Sequence, residues 1–164
     1  AAMNPCPCGH FPDRSRCRCT DGQITRYLQK VSGPMLDRID ICVEASPITY
    51  GDIRSSGNNE SSREIRARVE QARKIQGERF AGENIRCNGE MSGRHIRKFC
   101  GLGREEEKFM EEIFKKLALS ARMHDRILKV ARTTADLAEE EKIRLADLCE
   151  AVSYVKSRDK FWGN

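Results

Sequence analysis

The segment CPCGHFPDRSRCRC, residues 6 to 19, constrains the fold of this chain more than any other part of the sequence. It holds four cysteines and one histidine but no aliphatic side chain, so it cannot bury an apolar core of its own. The 164-residue chain has eight cysteines, and its opening AAMNPCPCG shows no basic and apolar leader of the secretory type. These features indicate a reducing, cytoplasmic setting and thiolate chemistry rather than a disulfide scaffold.

The four cysteines form two C-x-C pairs and predict a tetrahedral zinc site with the ligands Cys6, Cys8, Cys17 and Cys19. Thiolates bind Zn²⁺ at about 2.3 Å, and Arg14, Arg16 and Arg18 suit the double negative charge of a centre with four thiolates. The C-x-C spacing is tighter than the usual C-x-x-C, and His10 is an alternative to one thiolate. Two other interpretations stay open, a reduced loop without metal and disulfide bonds. We expect the remaining cysteines to fill apolar packing positions: Cys42, Cys87, Cys100 and Cys149.

The spacing of apolar residues divides the chain into a short mixed segment and a long helical one. Residues 1 to 50 combine the cysteine loop with a small α/β region. Residues 51 to 62, GDIRSSGNNESS, have the composition of a linker. Residues 63 to 164 show successive amphipathic patterns and predict a helical bundle, so the expected fold class is mainly α.

Local patterns within these segments predict individual strands and helix starts. Residues 1 to 4 are typical of the end of a strand, and alternation in DICVEA predicts a half-buried strand with Ile39, Ile41 and Val43 on one face. Hydroxyl side chains precede three of the helical patterns, and the expected N-caps are Thr20, Ser62 and Ser92.

Charge constrains the partners of the chain only weakly. The net charge is +5, from 30 Lys and Arg against 25 Asp and Glu, and the segment from Arg63 to Arg104 holds 11 basic against 5 acidic residues. Such a surplus is compatible with nucleic-acid contact, and equally with an ordinary solvated face. The sequence contains no run of about 18 apolar residues, so we expect no membrane span.

Two arginines occupy positions that packing alone does not explain. Arg38 in SGPMLDRIDI lies between Asp37 and Asp40 at a predicted helix-to-strand junction. It forms either a surface ion pair, worth little, or a contact with the phosphate of a neighbouring subunit. Arg122 in LSARMHDRILKVARTTADLA falls in the first turn of a predicted helix, where a cation opposes the helix dipole. It is either a tolerated surface residue or a ligand for a phosphate held at that helix end.

These stretches, taken in order, resemble one family. AAMNPCPCG, SGPMLDRIDI, IRCNGEMS and LSARMHDRILKVARTTADLA are similar to the C-terminal half of the magnesium-chelatase-like AAA+ ATPases of the ComM (YifB) type, from residue 1 to about residue 156. The resemblance implies the end of an AAA+ core in the mixed segment and a helical lid in the long one. Gly89, Glu90 and Thr134 depart from the family's usual residues, and none of them is an expected phosphate contact.

The resemblance also implies roles for three residues. Asn4 matches the sensor 1 residue, which orients the attacking water at the γ-phosphate. Arg38 matches the arginine finger, which acts on the nucleotide of the next subunit, and Arg122 matches the sensor 2 arginine of the lid. Asn4 and Arg122 are accordingly the expected nucleotide-binding residues, and all three are expected to contribute to catalysis of ATP hydrolysis.

The sequence contains neither a G-x-x-x-x-G-K-[ST] motif nor an acidic run after an apolar strand, so this chain is not expected to hydrolyse ATP by itself. The resemblance implies a longer bacterial protein that uses ATP and Mg²⁺ and assembles identical subunits into a hexameric ring. It also implies that this protein remodels DNA by branch migration during DNA uptake and recombination. Two alternatives stay open, the motor subunit of a metal chelatase and a stand-alone zinc-dependent module that binds nucleic acid.

Overall fold

The computed structural model describes residues 1–36, 38–54 and 60–162. Over these ranges it contains eight α-helices and one 3-10 helix: α1 (Asp21–Leu28), α2 (Gly33–Leu36), α3 (Tyr50–Arg54), α4 (Ser62–Arg79), the 3-10 helix Asn88–Glu90, α5 (Gly93–Phe99), α6 (Arg104–Lys116), α7 (Ala121–Leu137) and α8 (Leu145–Trp162). The prediction of a mainly α protein is confirmed. No helix in the described part of the chain is long and apolar enough to cross a membrane.

The chain divides into two compact units. The first comprises Ala1–Val43 with the chain from Tyr154 onward, and the second comprises Glu44–Ser153. α7 forms the centre of the second unit, where α4, α5 and the 3-10 helix pack against it. Residues four apart lie on one stripe of a helix, and the stripe of α7 that is completely buried consists of Ile127, Ala131 and Ala135.

Side-chain caps explain where the helices begin. Thr20 precedes α1 as predicted, and its hydroxyl accepts a hydrogen bond from the backbone N–H of Gln23 at 3.3 Å while the Gln23 side chain accepts from the Thr20 N–H at 2.9 Å. Ser92 precedes α5, also as predicted. The cap of α4 is Ser61, one residue before the predicted Ser62. The Thr20 and Ser61 hydroxyls satisfy backbone donors that the first helical turn leaves without a partner, and at α5 the His95 ring accepts from the Ser92 N–H at 3.1 Å.

A buried ionic cluster joins three parts of the second unit. Asp136 on α7 is completely buried, and its carboxylate accepts hydrogen bonds from Arg79 at the end of α4 (Nη1 to Oδ2, 2.7 Å) and from Arg132 (Nε to Oδ1, 3.1 Å). Asn88 of the 3-10 helix donates to the same carboxylate at 2.8 Å and to Thr133 Oγ1 at 3.0 Å. The motifs IRCNGEMS and ARTTADLA therefore meet in the interior of this unit.

The predicted strands are absent from the described residues. Residues 1 to 4 and 39 to 43 have no regular secondary structure, and Ile41 and Val43 are 52% and 73% exposed. A strand requires a neighbouring strand to pair its backbone N–H and C=O groups, and none of the described segments provides one. The α/β character expected for residues 1 to 50 is therefore not seen. Residues 55–59 of the predicted linker lie outside the described residues, so the boundary at 51 to 62 stays a prediction.

The four isolated cysteines differ in their surroundings. Cys100 is 4% exposed, in line with the expected packing role, whereas Cys42 and Cys87 are half-buried. The packing prediction is wrong for Cys149, which is exposed. It follows Leu148, which is completely buried, and successive residues of a helix point about 100° apart, so Cys149 lies on the outer side of α8.

Candidate functional site

Turns in the cysteine segment bring its two C-x-C pairs together. The N–H of Gly9 donates to the Cys6 carbonyl at 3.0 Å, and Gly9 has a φ of +81°, a conformation that side chains with a Cβ rarely adopt. Further along, the Cys17 N–H donates to the Asp13 carbonyl at 2.8 Å. The Asp13 carboxylate in turn accepts from the Ser15 N–H at 2.9 Å. These local bonds order a segment that has no apolar core.

The four thiols predicted as ligands lie in one cluster, with their sulfur atoms all within 4.8 Å of one another. The Sγ–Sγ distances are 3.4 Å for Cys6–Cys8, 3.8 Å for Cys6–Cys17 and 3.6 Å for Cys8–Cys17. Tetrahedral Zn²⁺ with bonds of about 2.3 Å places its sulfur ligands about 3.8 Å apart, so the donor set and its spacing fit this metal. All eight cysteines of the chain are free thiols.

Backbone amides face two of the sulfur atoms, those of Cys6 and Cys8, and stabilise their anionic form. The N–H of Phe11 donates to Cys6 Sγ at 3.4 Å, and Cys6 is completely buried. Hydrogen bonds from the backbone of His10 and then Arg18 lower the pKa of the Cys8 thiol to about 6. Partial burial raises the pKa of Cys19 to about 11. Amide donors of this kind complete the coordination shell of metal-bound thiolates.

Asn4 and Arg38, the two predicted catalytic residues of the first unit, are both exposed. The Asn4 amide lies against Gly9, because a Cβ placed on that glycine would be 3.6 Å from Asn4 Nδ2. Arg38 follows α2, and its Nη1 donates to the Pro34 carbonyl at 2.9 Å. The structure therefore does not join Asn4 to Arg38 by a hydrogen bond. The proposed pairing of Arg38 with Asp37 lies outside the described residues.

Arg122, the third predicted catalytic residue, lies in the first turn of α7. Ser120 caps this helix and its hydroxyl accepts from the Met123 N–H at 3.2 Å. The Arg122 side chain is exposed and forms no ion pair with any described residue. Arg122 thus belongs to the second unit, whereas Asn4 and Arg38 belong to the first.

The basic segment from Arg63 to Arg104 consists largely of cations without counter-charges. Of its 11 basic residues, Arg68, Arg79, Arg94 and Lys98 form ion pairs with acidic side chains. The other seven are exposed and form no ion pair within the described ranges: Arg63, Arg66, Arg73, Lys74, Arg86, Arg97 and Arg104. Unneutralised cations on an exposed surface attract phosphate groups.

Comparison with known protein families shows which family this chain belongs to. A family model described as magnesium chelatase, subunit ChlI C-terminal matches residues 59–155, more than half of the chain. The chain belongs to the magnesium chelatase ChlI C-terminal family. A second model, described as magnesium chelatase, subunit ChlI, matches residues 1–53. The resemblance inferred from the four sequence motifs is therefore confirmed.

Curated proteins related to this magnesium chelatase family member match it over nearly its whole length. "Competence protein ComM" of Haemophilus influenzae is 40% identical over 155 residues, and "Uncharacterized protein YifB" of Escherichia coli is 41% identical over 156 residues, each covering 94% of this chain. An uncharacterized protein of Mycobacterium tuberculosis is 33% identical over 153 residues, or 93% of this chain. The chain spans about 30% of the length of each relative.

The ionic cluster around Asp136 is the part of the molecule that sequence reasoning missed. Part of its signal lies in motifs that carry the family resemblance, because IRCNGEMS contains Asn88 and ARTTADLA contains Arg132 and Asp136. The pairing itself joins residues 57 positions apart, Arg79 and Asp136, and spacing along the sequence does not reveal such a contact.

Proposed function

We propose that this chain supplies the end of the ATPase core and the helical lid of a ring-forming AAA+ motor that uses ATP and Mg²⁺ to remodel DNA. The match to competence protein ComM over 94% of the chain supports the family to which such a motor would belong. The P-loop and the acidic Mg²⁺ ligand of the motor come from elsewhere in the protein, since the 164 residues contain no P-loop motif.

The observation that carries this proposal is the position of Arg122. A cation in the first turn of α7 opposes the helix dipole, and the exposed Arg122 has no acidic partner within the described residues to offset that cost. A phosphate at the N-terminus of α7 interacts favourably with both the helix dipole and the guanidinium group. This is the arrangement that a sensor 2 arginine requires.

Arg38 and Asn4 complete the contribution of this chain to ATP hydrolysis. Arg38 lies in the exposed turn after α2, and its Nη1 donates to the Pro34 carbonyl. Its other guanidinium donors are available to a neighbouring subunit. An arginine that acts on the next subunit's nucleotide requires a closed head-to-tail ring, for which we propose a hexamer of identical subunits. Asn4 orients the attacking water in the same subunit.

The metal assigned to the cysteine cluster is Zn²⁺, with Cys6, Cys8, Cys17 and Cys19 as the four ligands. The spacing of three sulfur pairs, 3.4 to 3.8 Å, supports this choice, as do the amide donors that face Cys6 and Cys8. Four thiolates would fill the tetrahedral shell of Zn²⁺ and leave no position open to a substrate, so its role here is structural. It replaces the apolar core that residues 6 to 19 lack.

The nucleic-acid partner is proposed from the charge distribution. Seven exposed cations between Arg63 and Arg104 have no acidic partner within the described residues, and four of them, Arg63, Arg66, Arg73 and Lys74, belong to α4. DNA is the polyanion that the competence role printed for the ComM relative suggests. Such contacts are sequence-independent, as a translocating motor requires, and they weaken as the salt concentration rises.

ATP turnover of the full-length protein tests the role of the two arginines. An arginine finger contributes on the order of a thousandfold to turnover, so Arg38→Ala is expected to reduce ATPase activity by about that factor, and Arg122→Ala to reduce it strongly as well. Lys108→Ala on the exposed face of α6 is the matched control and is expected to leave turnover unchanged. Turnover at the wild-type rate in both arginine variants would refute the proposal.

Rings assembled from two inactive variants show whether the arginine finger acts on a neighbouring subunit or within its own. A subunit with Arg38→Ala and a subunit with a replaced P-loop lysine are each inactive alone. When the two are mixed, an intact nucleotide pocket meets an intact Arg38 at some interfaces, and turnover should reappear. If mixing restores nothing while Arg38→Ala alone is inactive, Arg38 acts in its own subunit.

A second candidate function is the motor subunit of a magnesium chelatase, which the family descriptions themselves favour. Both candidates predict the same arginine phenotypes, but they differ in what stimulates ATP hydrolysis. Branched DNA is expected to stimulate the DNA motor, whereas a tetrapyrrole with its chelatase partner subunits stimulates the chelatase motor. The same ATPase measurement with each addition distinguishes them.

A further inference from the structure

A groove of about 370 Å³ lies between the cysteine segment and α1, entirely within the first unit. One wall is formed by residues of the cysteine segment: Pro7, Cys8 and Cys19. The other wall is formed by one face of α1 and the turn that follows it: Gln23, Arg26, Tyr27 and Lys30. None of these four residues belongs to the predicted ATPase machinery, and the ATPase function leaves the groove unexplained.

The sequence of α1 separates a core face from the groove face. Ile24 is 6% exposed and packs inward. Residues 23, 26 and 27 are spaced i, i+3 and i+4, which places them together on an adjacent face, and Lys30 continues that face in the turn after the helix. Between them, Tyr27 is half-buried and lines the groove. An aromatic ring held this way can stack with a planar ligand at little cost in conformational entropy.

The charges around the groove select an anionic ligand. Arg26 and Lys30 are both exposed, and neither forms an ion pair with a described residue. Asp21, the acidic residue of α1, is already paired with Arg14. Arg26 and Lys30 are four residues apart and line the same side of the groove as Tyr27. The groove thus combines a stacking ring with two cations that lack a counter-charge among the described residues.

We propose that this groove binds a nucleotide of single-stranded nucleic acid, with the base stacked on Tyr27 and its phosphates on Arg26 and Lys30. The proposal rests on the DNA partner of the proposed function and locates one of its contacts. An aromatic ring beside a basic track is the recurrent way in which proteins bind single strands without sequence preference. The paired bases of a duplex remain stacked on one another and do not reach Tyr27.

The test is fluorescence anisotropy of a labelled 12-nucleotide oligo(dT) strand titrated with the zinc-loaded 164-residue chain. Stacking on a single aromatic ring changes single-strand affinity at least about fivefold, so Tyr27→Ala is expected to weaken binding by that factor or more. Tyr27→Phe keeps the ring and is expected to retain most of the affinity. An abasic strand of equal length should bind wild type and Tyr27→Ala equally, because it has no base to stack.

The cations are tested by the salt dependence of the same binding. Each phosphate contact to a single strand contributes about 0.7 to the slope of log K against log salt, so Arg26→Ala/Lys30→Ala should reduce the slope by about 1.4. The control Lys108→Ala/Lys142→Ala removes the same charge from exposed positions of the second unit and is expected to leave the slope unchanged.

Three results would overturn the groove proposal. The first is that Tyr27→Ala binds oligo(dT) with an affinity within twofold of wild type. The second is that Tyr27→Ala loses as much affinity for the abasic strand as for oligo(dT). The third is that the wild-type chain binds a 12-base-pair duplex more tightly than the single strand. None of them bears on ATP turnover measured without DNA, which depends on Arg38 and Arg122. Failure of the groove proposal is therefore distinguishable from failure of the ATPase proposal.

Discussion

At the scale of single residues, Asp136 is a buried charge that links three parts of the second unit. Its carboxylate is completely buried and holds together α4, α7 and the 3-10 helix through Arg79, Arg132 and Asn88. Arg132 is 2% exposed and also donates to the carbonyls of Glu140 (2.6 Å) and Glu141 (2.8 Å), which fixes the turn after α7. A buried carboxylate and its arginines are stable only together, because each charge offsets the desolvation of the others.

We therefore predict that Asp136→Asn reduces the free energy of unfolding of this unit by about 3–5 kcal/mol, since it leaves the buried Arg132 without its counter-charge. Urea unfolding followed by circular dichroism measures the loss. The matched control is Glu111→Gln, which removes an ion pair with Lys115 whose two side chains are 65% and 73% exposed, and it should change stability little. Similar losses in the two variants would contradict this assignment.

The four metal-ligand candidates could be predicted from the sequence because the information is local. Two C-x-C pairs with eight residues between them, in a segment without aliphatic side chains, leave few other ways to order the backbone. The bonds of Asp136 to Arg79 and Asn88 could not be predicted, because these residues reach it only after separate elements have packed together. In this chain, candidate sites made of neighbouring residues can therefore be predicted from the sequence, and sites assembled by folding cannot.

At the scale of elements, the sequence predicted helices correctly and strands wrongly. Both outcomes depend on where the backbone finds its hydrogen-bond partners. A helix pairs its backbone internally, so apolar spacing and a capping residue such as Thr20 or Ser92 suffice to indicate one. A strand depends on a partner elsewhere in the chain, and the alternation at Ile39, Ile41 and Val43 carries no information about that partner.

The two halves of α4 differ in burial. Ala72 is 4% exposed, and Gln76 is buried beside Asn88, from whose N–H its side chain accepts a hydrogen bond at 3.3 Å. Ile65 and Val69, which helical spacing places on the same stripe as Ala72, are 43% and 44% exposed. The capping box of Ser61 and Glu64 stabilises the first turn through local hydrogen bonds rather than through packing.

This difference predicts unequal costs for the same substitution on two helices. Ile127→Ala in the completely buried stripe of α7 should destabilise the second unit by about 2–5 kcal/mol, because it leaves a cavity. Ile65→Ala in α4 should cost much less, because the side chain is already half in water. Urea unfolding of the two variants measures both values. Equal costs would show that the N-terminal half of α4 is covered in solution.

At the scale of the whole molecule, the two units are stabilised by different means. Buried apolar side chains in the second unit come from α4 to α8, with Ile127, Ala131 and Leu148 completely buried. Among the described residues of the segment 1–43, the buried apolar residues are Cys6, Ile24 and Leu36. A segment of about 40 residues with so small a core usually needs a metal or disulfides to fold. The Zn²⁺ proposed at the four clustered thiols of this segment would supply that stabilisation.

Removal of zinc is therefore predicted to unfold the first unit and spare the second. Protein purified without chelator should carry about one Zn²⁺ per chain, and a chelator should then increase amide hydrogen exchange across residues 5–30 while α7 keeps its protection. Cys8→Ser/Cys19→Ser should show the same exchange pattern without chelator, whereas the exposed Cys149→Ser should match wild type. Zinc added back to the chelated wild type should restore protection. Two results would show that the thiol cluster does not stabilise this unit. One is amide hydrogen exchange in residues 5–30 that is the same with and without chelator, and the other is exchange that rises equally in α7.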